Sequence, residues 1–246
     1  MSRLVVIAVI VVSALLVWKS GALNGVLGGG SAAPGGQDPS AALMQAHSAM
    51  TKLHSVHVTV TGTSAFSDLG EVPLTGNGDL YPPHKANLNF QFLVPGKGPL
   101  PLNERIETGH VYVQNPSQGP SWKDVTGNPT GQLLPELDPL DNLDFLKAAR
   151  ASDDMGNMTM DNLQVQHFSV KVDPSSYVDQ LKADALSGIG PADDAALNSA
   201  AIQVEVWVSP IDHYIHQMHI EMTARQFSWD VTYRFSNFAT GGSTSA

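Results

Sequence analysis

Period-two alternation of apolar and polar residues dominates the chain. Val56, Val58 and Val60 alternate with His57, Thr59 and Thr61, and Leu88, Phe90 and Phe92 alternate with Asn87, Asn89 and Gln91. Ile202, Val204, Val206 and Val208 form a third set. Phe227, Trp229, Val231, Tyr233 and Phe235 form a fourth, with Ser228, Asp230, Thr232 and Arg234 between them. Met218, Ile220 and Met222 share the face of a further strand. Successive side chains of a strand point to opposite faces. Each set therefore predicts a strand with one wet and one apolar face, the pattern of antiparallel sheets. In Leu163, Val165, then Phe168, Val170 and Val172, the alternation slips by one at Gln166-His167. A turn or a β-bulge is expected there.

Helical spacing is rarer. Asp38-Pro39, Asp138-Pro139 and Asp173-Pro174 each set an N-cap acceptor before a proline at the first helical position. The first helix is expected to run to about Leu53, with Leu43, Ala46, His47, Met50 and Leu53 on one stripe. A second is expected near Pro139–Ala151, with Leu140, Leu143, Leu146 and Ala149 or Arg150 at helical spacing. Its acids come first and its bases last, which suits the helix dipole. The third carries Tyr177, Leu181 and Ala185. At least eight strands with so few helices imply an α+β fold. The expected form is a strongly curved antiparallel sheet or incomplete barrel, with helices against its apolar face.

Leu4–Trp18 departs from both periods: only Ser13 interrupts its apolar side chains, and Arg3 and Lys19 flank it. As a helix it spans about 22 Å, against a bilayer core of about 30 Å. It reads as a short membrane anchor or the core of a signal peptide. Trp18 is placed for the interface, Lys19 for snorkelling, and Ser20-Gly21-Ala22 is a passable cleavage site. Either role sends the chain out of the cytoplasm, to be retained on the membrane or secreted. The expected organisation is a signal or transmembrane anchor at 1–20, a Gly-rich linker at 21–37, a folded domain at 38–238 and a disordered tail at 239–246.

Charge and chemistry narrow the function. The formal net charge is −10 over 246 residues, and without Arg3 and Lys19 the body stands near −12. Such a body is repelled by phosphate backbones, which argues against nucleic-acid binding. The chain has no cysteine. This excludes disulfides, thiol nucleophiles and Cys-based metal sites. No G-x-S-x-G, P-loop, Rossmann glycine string or H-E-x-x-H occurs, so no catalytic residue and no cofactor are expected. Asp153-Asp154 and Asp193-Asp194 are adjacent pairs that read as solvated acidic loops. His213, His216 and His219 are the weak metal candidates. In a helix they would share a face, but their flanks favour strands. Strand geometry sends His216 and His219 to opposite sides and His213 into a turn after Pro210, so no metal site is expected.

Several strings, in order, resemble one family. Leu53-His54-Ser55-Val56-His57-Val58 after a short helix, then Thr75-Gly76-Asn77-Gly78-Asp79-Leu80, resemble the opening of the LppX/LprG-type lipoproteins of the actinobacterial envelope. Gly109-His110-Val111-Tyr112-Val113 with Trp122-Lys123-Asp124 resembles their G-x-x-Y…W hairpin. Leu137-Asp138-Pro139-Leu140 resembles their cross-over helix, and Val206-Trp207-Val208, Asp212 and Met218-His219-Ile220 their late strands. The resemblance implies a LolA/LolB-like half-barrel, with two to four helices on the concave face, enclosing a lipid-sized apolar cavity. It also implies binding or carriage of acylated lipids or glycolipids. The residues expected to line the cavity are Val58, Val60, Leu88, Phe90, Phe92, Leu143, Leu146, Val204, Val206, Met218, Ile220, Met222, Trp229, Val231 and Tyr233. A ligand-free envelope sensor or scaffold of the same fold is the alternative. The family's usual lipid anchor sits on a cysteine that this chain lacks, so Leu4–Trp18 becomes the candidate substitute.

Overall fold

The computed structural model describes residues 39–66, 70–82, 85–107, 110–125, 149–176, 179, 198–224 and 227–241. One helix, α1 (Pro39–Met50), leads into β1 (Leu53–Phe66). Then β2 (Gly70–Tyr81), β3 (Lys85–Val94), β4 (Gly98–Glu107), β5 (His110–Gln114) and β6 (Lys123–Asp124) follow as an antiparallel meander. A second run comprises β7 (Ala149–Met160), β8 (Leu163–Val172), β9 (Ala201–Val208), β10 (Ile215–Thr223) and β11 (Phe227–Thr240). It too pairs antiparallel throughout, and β11 pairs with β1. The result is one open sheet of eleven strands in the order β6-β5-β4-β3-β2-β1-β11-β10-β9-β8-β7, with β6 and β7 as its edges.

The alternation read from the sequence becomes one buried face. In β3 exposed and buried residues alternate without a break from Lys85 to Val94. Across the sheet, Val58, Gly78 and Leu88 form one row, and Val60, Gly76 and Phe90 the next. Beyond β11, Tyr233, Met218, Val206 and Phe168 form another row. Helix α1 joins the same core through Ala42, Leu43, Ala46 and Met50 and touches β7 and β10. It ends before the expected Leu53, because that residue opens β1 opposite Thr240.

Glycine is required where the strands crowd. A Cβ on Gly78 would lie 2.1 Å from the Asn87 carbonyl oxygen and 2.8 Å from Leu88 Cα. One on Gly62 would lie 2.2 Å from the Asp230 oxygen. Glycines inside strands mark tight bends and close backbone approach, in keeping with a curved sheet.

Three further expectations change. Ala149 and its neighbours, expected as a helix end, open β7 instead, with Ala149 opposite Val172 and Ala151 opposite Lys171; hydrogen bonds to β8 override their helical spacing. Asp153 and Asp154 lie in that strand rather than in a loop. β11 runs through Ala239 and Thr240, past the expected end of the domain. The slip at Gln166-His167 is a bulge, and its extra residue is Met155 on the partner strand, between Asp154 and Gly156. The rest of the helix expected near Pro139–Ala151, Asp193-Asp194 and the segments 1–20 and 21–37 lie outside the described residues, as does most of the third helix. Its first turn, 174–176, is helical. Among the described residues no helix is long and apolar enough to cross a membrane.

The resemblance-bearing Tyr112 and Trp122 have a physical role. The Arg105 guanidinium lies 5.0 Å from each ring centroid. Such cation–π contacts, about 0.5–1 kcal/mol each at exposed sites, tie β4 to the β5–β6 hairpin.

Candidate functional site

The candidate site is the apolar face. Val58, Val60, Leu88, Phe90, Phe92, Val204, Val206, Met218, Ile220, Met222, Trp229, Val231 and Tyr233 are all buried there. They share this face because each occupies the same phase of alternation, and the register sets them side by side. Val231 lies between Gly62 and Ile220, and Tyr233 between Val60 and Met218. Leu143 and Leu146 lie outside the described residues.

Sequence reading missed β4. Leu102, Glu104 and Ile106 also point into this face, but Pro99, Pro101 and the charged neighbours hide the alternation. Glu104 is therefore a carboxylate on an apolar surface, 1% exposed, beside Leu88 and Val113. A second polar group is the Trp229 indole. Its Nε1–H is buried on this face and, among the described residues, donates to no acceptor. A buried donor left unpaired costs about 1–3 kcal/mol, and such groups in native folds call for an explanation.

The opposite face is polar and histidine-rich. His219 Nε2 lies 2.8 Å from Asp230 Oδ1, and His57 Nδ1 lies 2.8 Å from Asp79 Oδ1. His167 pairs with Glu205 and stacks on Trp207 at 4.5 Å. His213 sits in the turn after Pro210 with φ +62°, and His216 is the extra residue of a bulge in β10 between Ile215 and Gln217. His216 approaches Asp212 at 3.7 Å and meets Phe238 edge-on at 4.9 Å. His213, His216 and His219 thus do not converge; His219 meets Glu221 and Asp230 instead. A groove of about 500 Å³ takes in Thr59, Asp161, His216, Arg234 and Phe238. Its lining is mostly outward-facing, with the buried Phe235 beside it, and holds none of the residues expected to line the lipid cavity.

Burial holds the His216 imidazole below its ordinary 6.5, against the upward pull of Asp212. The neutral form is favoured in the fold, so the unfolded chain takes up this proton first as the pH falls. His216 therefore stabilises above 6.5 and loses that contribution below it. In thermal melts from neutral to mildly acid pH, His216→Gln should show a shallower decline than the parent chain. Parallel declines would refute this.

These residues define an open, wholly antiparallel eleven-stranded sheet with one buried apolar face and a helix packed on it. Solved structures similar to this chain include the lipoprotein LppX of Mycobacterium tuberculosis, at 14% identity and TM-score 0.46, with 82% of this chain and 95% of that one covered. They include LprF from Mycobacterium bovis, at 16% identity and TM-score 0.49, covering 87% and 97%. A LolA superfamily protein from Nitrosomonas europaea is similar at 10% identity and TM-score 0.33, covering 83% and 94%. No family model and no curated protein matches the sequence.

Proposed function

We propose that this chain is a lipid-binding carrier of the cell envelope, working outside the cytoplasm and holding acyl chains against the apolar face of its sheet. The observation that carries this reading is that face: continuous, almost wholly apolar, and borne by a sheet that does not close on itself. An acyl chain offers nothing to read but apolar area, worth roughly 25 cal/mol per Å² removed from water. A broad face of Val, Leu, Phe and Met supplies that area without a catalytic group, and methionine adapts to flexible ligands. We assign no catalytic residue and no cofactor. Val58, Val60, Leu88, Phe90, Phe92, Val204, Val206, Met218, Ile220, Met222, Val231 and Tyr233 are the proposed wall, with Leu143 and Leu146 from the chain between β6 and β7. Leu4–Trp18 provides the route to the membrane, as anchor or as export signal.

In this reading the Trp229 N–H waits for an acceptor on the ligand, such as an ester or carboxyl oxygen. The delipidated chain should bind a fluorescent fatty acid saturably. Trp229→Phe should weaken that binding up to about tenfold, the value of one hydrogen bond. Far-ultraviolet circular dichroism at the assay temperature should show the variant folded, with a modest loss of stability from the smaller buried ring. If no acyl ligand binds, the reading fails and a ligand-free sensor or scaffold takes its place.

A further inference from the structure

We propose that the outer face of β10 and β11 binds a divalent transition-metal ion of the zinc class through His219, Glu221 and Asp230. His219 and Glu221 are two residues apart on β10 and so share a face. Asp230 is the direct cross-strand partner of Glu221. One ligand atom from each of the three lies within 4.8 Å of the others, and His219 Nε2 is already 2.8 Å from Asp230 Oδ1. Zinc bonds of about 2.0–2.2 Å place neighbouring ligand atoms about 3.4 Å apart in a tetrahedral site. Glu221 and Asp230 are exposed, so side-chain rotation alone closes the cluster on an ion.

The charges favour a cation. Like charges directly opposite across a ladder are destabilising, and Glu221 faces Asp230 in that way. Glu205, the cross-strand partner of His219 on β9, adds a third carboxylate to the same face. Among the described residues no lysine or arginine lies within ion-pair distance of these three acids. Glu205 is itself engaged by His167 and by Gln203 Nε2 at 2.8 Å. It therefore stands as a fixed negative group beside His219 and backs the site without completing it.

The donor set selects the metal. An imidazole with two carboxylates suits zinc and neighbouring first-row ions better than copper(I), which prefers sulfur, or calcium, which prefers oxygen alone. Three protein ligands leave a fourth position for water or for a donor from another molecule.

The test is calorimetric titration of zinc chloride into the tag-free full chain in detergent micelles, at neutral pH. One ion per chain is expected. His219→Gln and Asp230→Asn should each weaken binding by about tenfold or more, while His213→Gln leaves it unchanged. Circular dichroism melts at the parent temperature show that the variants fold, as expected for substitutions on a solvent-facing surface. In the Asp230→Asn chain the weakened site should also lose the zinc-induced rise in melting temperature. Absence of heat up to millimolar zinc, or equal affinity in His219→Gln, Asp230→Asn and the parent, would overturn the proposal.

Discussion

Gly78→Ala should cost the fold about 3 kcal/mol or more, at the upper end of what overpacking exacts. The methyl group would sit 2.1 Å from the Asn87 carbonyl oxygen and 2.8 Å from Leu88 Cα. Both are backbone atoms of β3, so relief requires the β2–β3 ladder to part. Gly76 gives a graded comparison. Its added methyl meets the Phe90 ring at 2.5 Å, and a ring can turn, so Gly76→Ala should cost less. Gly96 gives the control: its surroundings are open and only its φ of +71° resists a side chain, a penalty of about 1–2 kcal/mol. Urea midpoints at constant slope would rank the three. A Gly78→Ala midpoint equal to that of Gly96→Ala would show that β2 and β3 do not approach as closely as described.

Phe168→Ala should cost about 3–5 kcal/mol, the usual loss for a fully buried phenylalanine. Phe168 is 0% exposed, and its row runs through Val206, Met218 and Tyr233, with Asp154 as its partner on β7. It also stands beside the bulge at Met155, where β7 carries one residue more than β8. The side chain must therefore hold the register as well as fill space, and the ring cannot be replaced by local collapse. Equilibrium unfolding gives the number. A loss under about 1 kcal/mol, the scale of a single methyl deletion, would mean that this end of the face is loosely packed.

These two residues show unequal legibility. Phe168 was readable: it resumes an alternation, with Val170 and Val172, that Leu163 and Val165 began. The slip ahead of it announced a turn or a bulge, but not which of the two or which strand would hold the extra residue. Gly78 was visible only as a glycine in a Gly-x-Gly string, and nothing local says that β3 presses against it. Glu104 was hidden because prolines and charges mask the alternation of β4. Of the three histidines weighed as weak metal candidates, His219 has a partner that no local spacing announces. His219 pairs with Asp230, which is eleven residues further on and on another strand. Ala149–Ala151 fit a helical stripe, yet cross-strand hydrogen bonds to β8 made them strand.

By itself the sequence determined which residues lie on the same face, because the two-residue repeat of a strand is local and survives any choice of neighbours. It likewise determined that the fold is sheet-rich, that the first helix begins at a proline, and that the body is acidic and without thiols. The tertiary structure alone decided which strands are neighbours. It brought Leu53 beside Thr240, uniting two meanders into one open sheet. It placed Glu104 and the Trp229 N–H on the apolar side, and it gathered His219, Glu221 and Asp230 on the other. Such pairings join residues remote along the chain. Their stability depends on the whole register and on the entropy of closing long loops, and no local pattern of side chains encodes either.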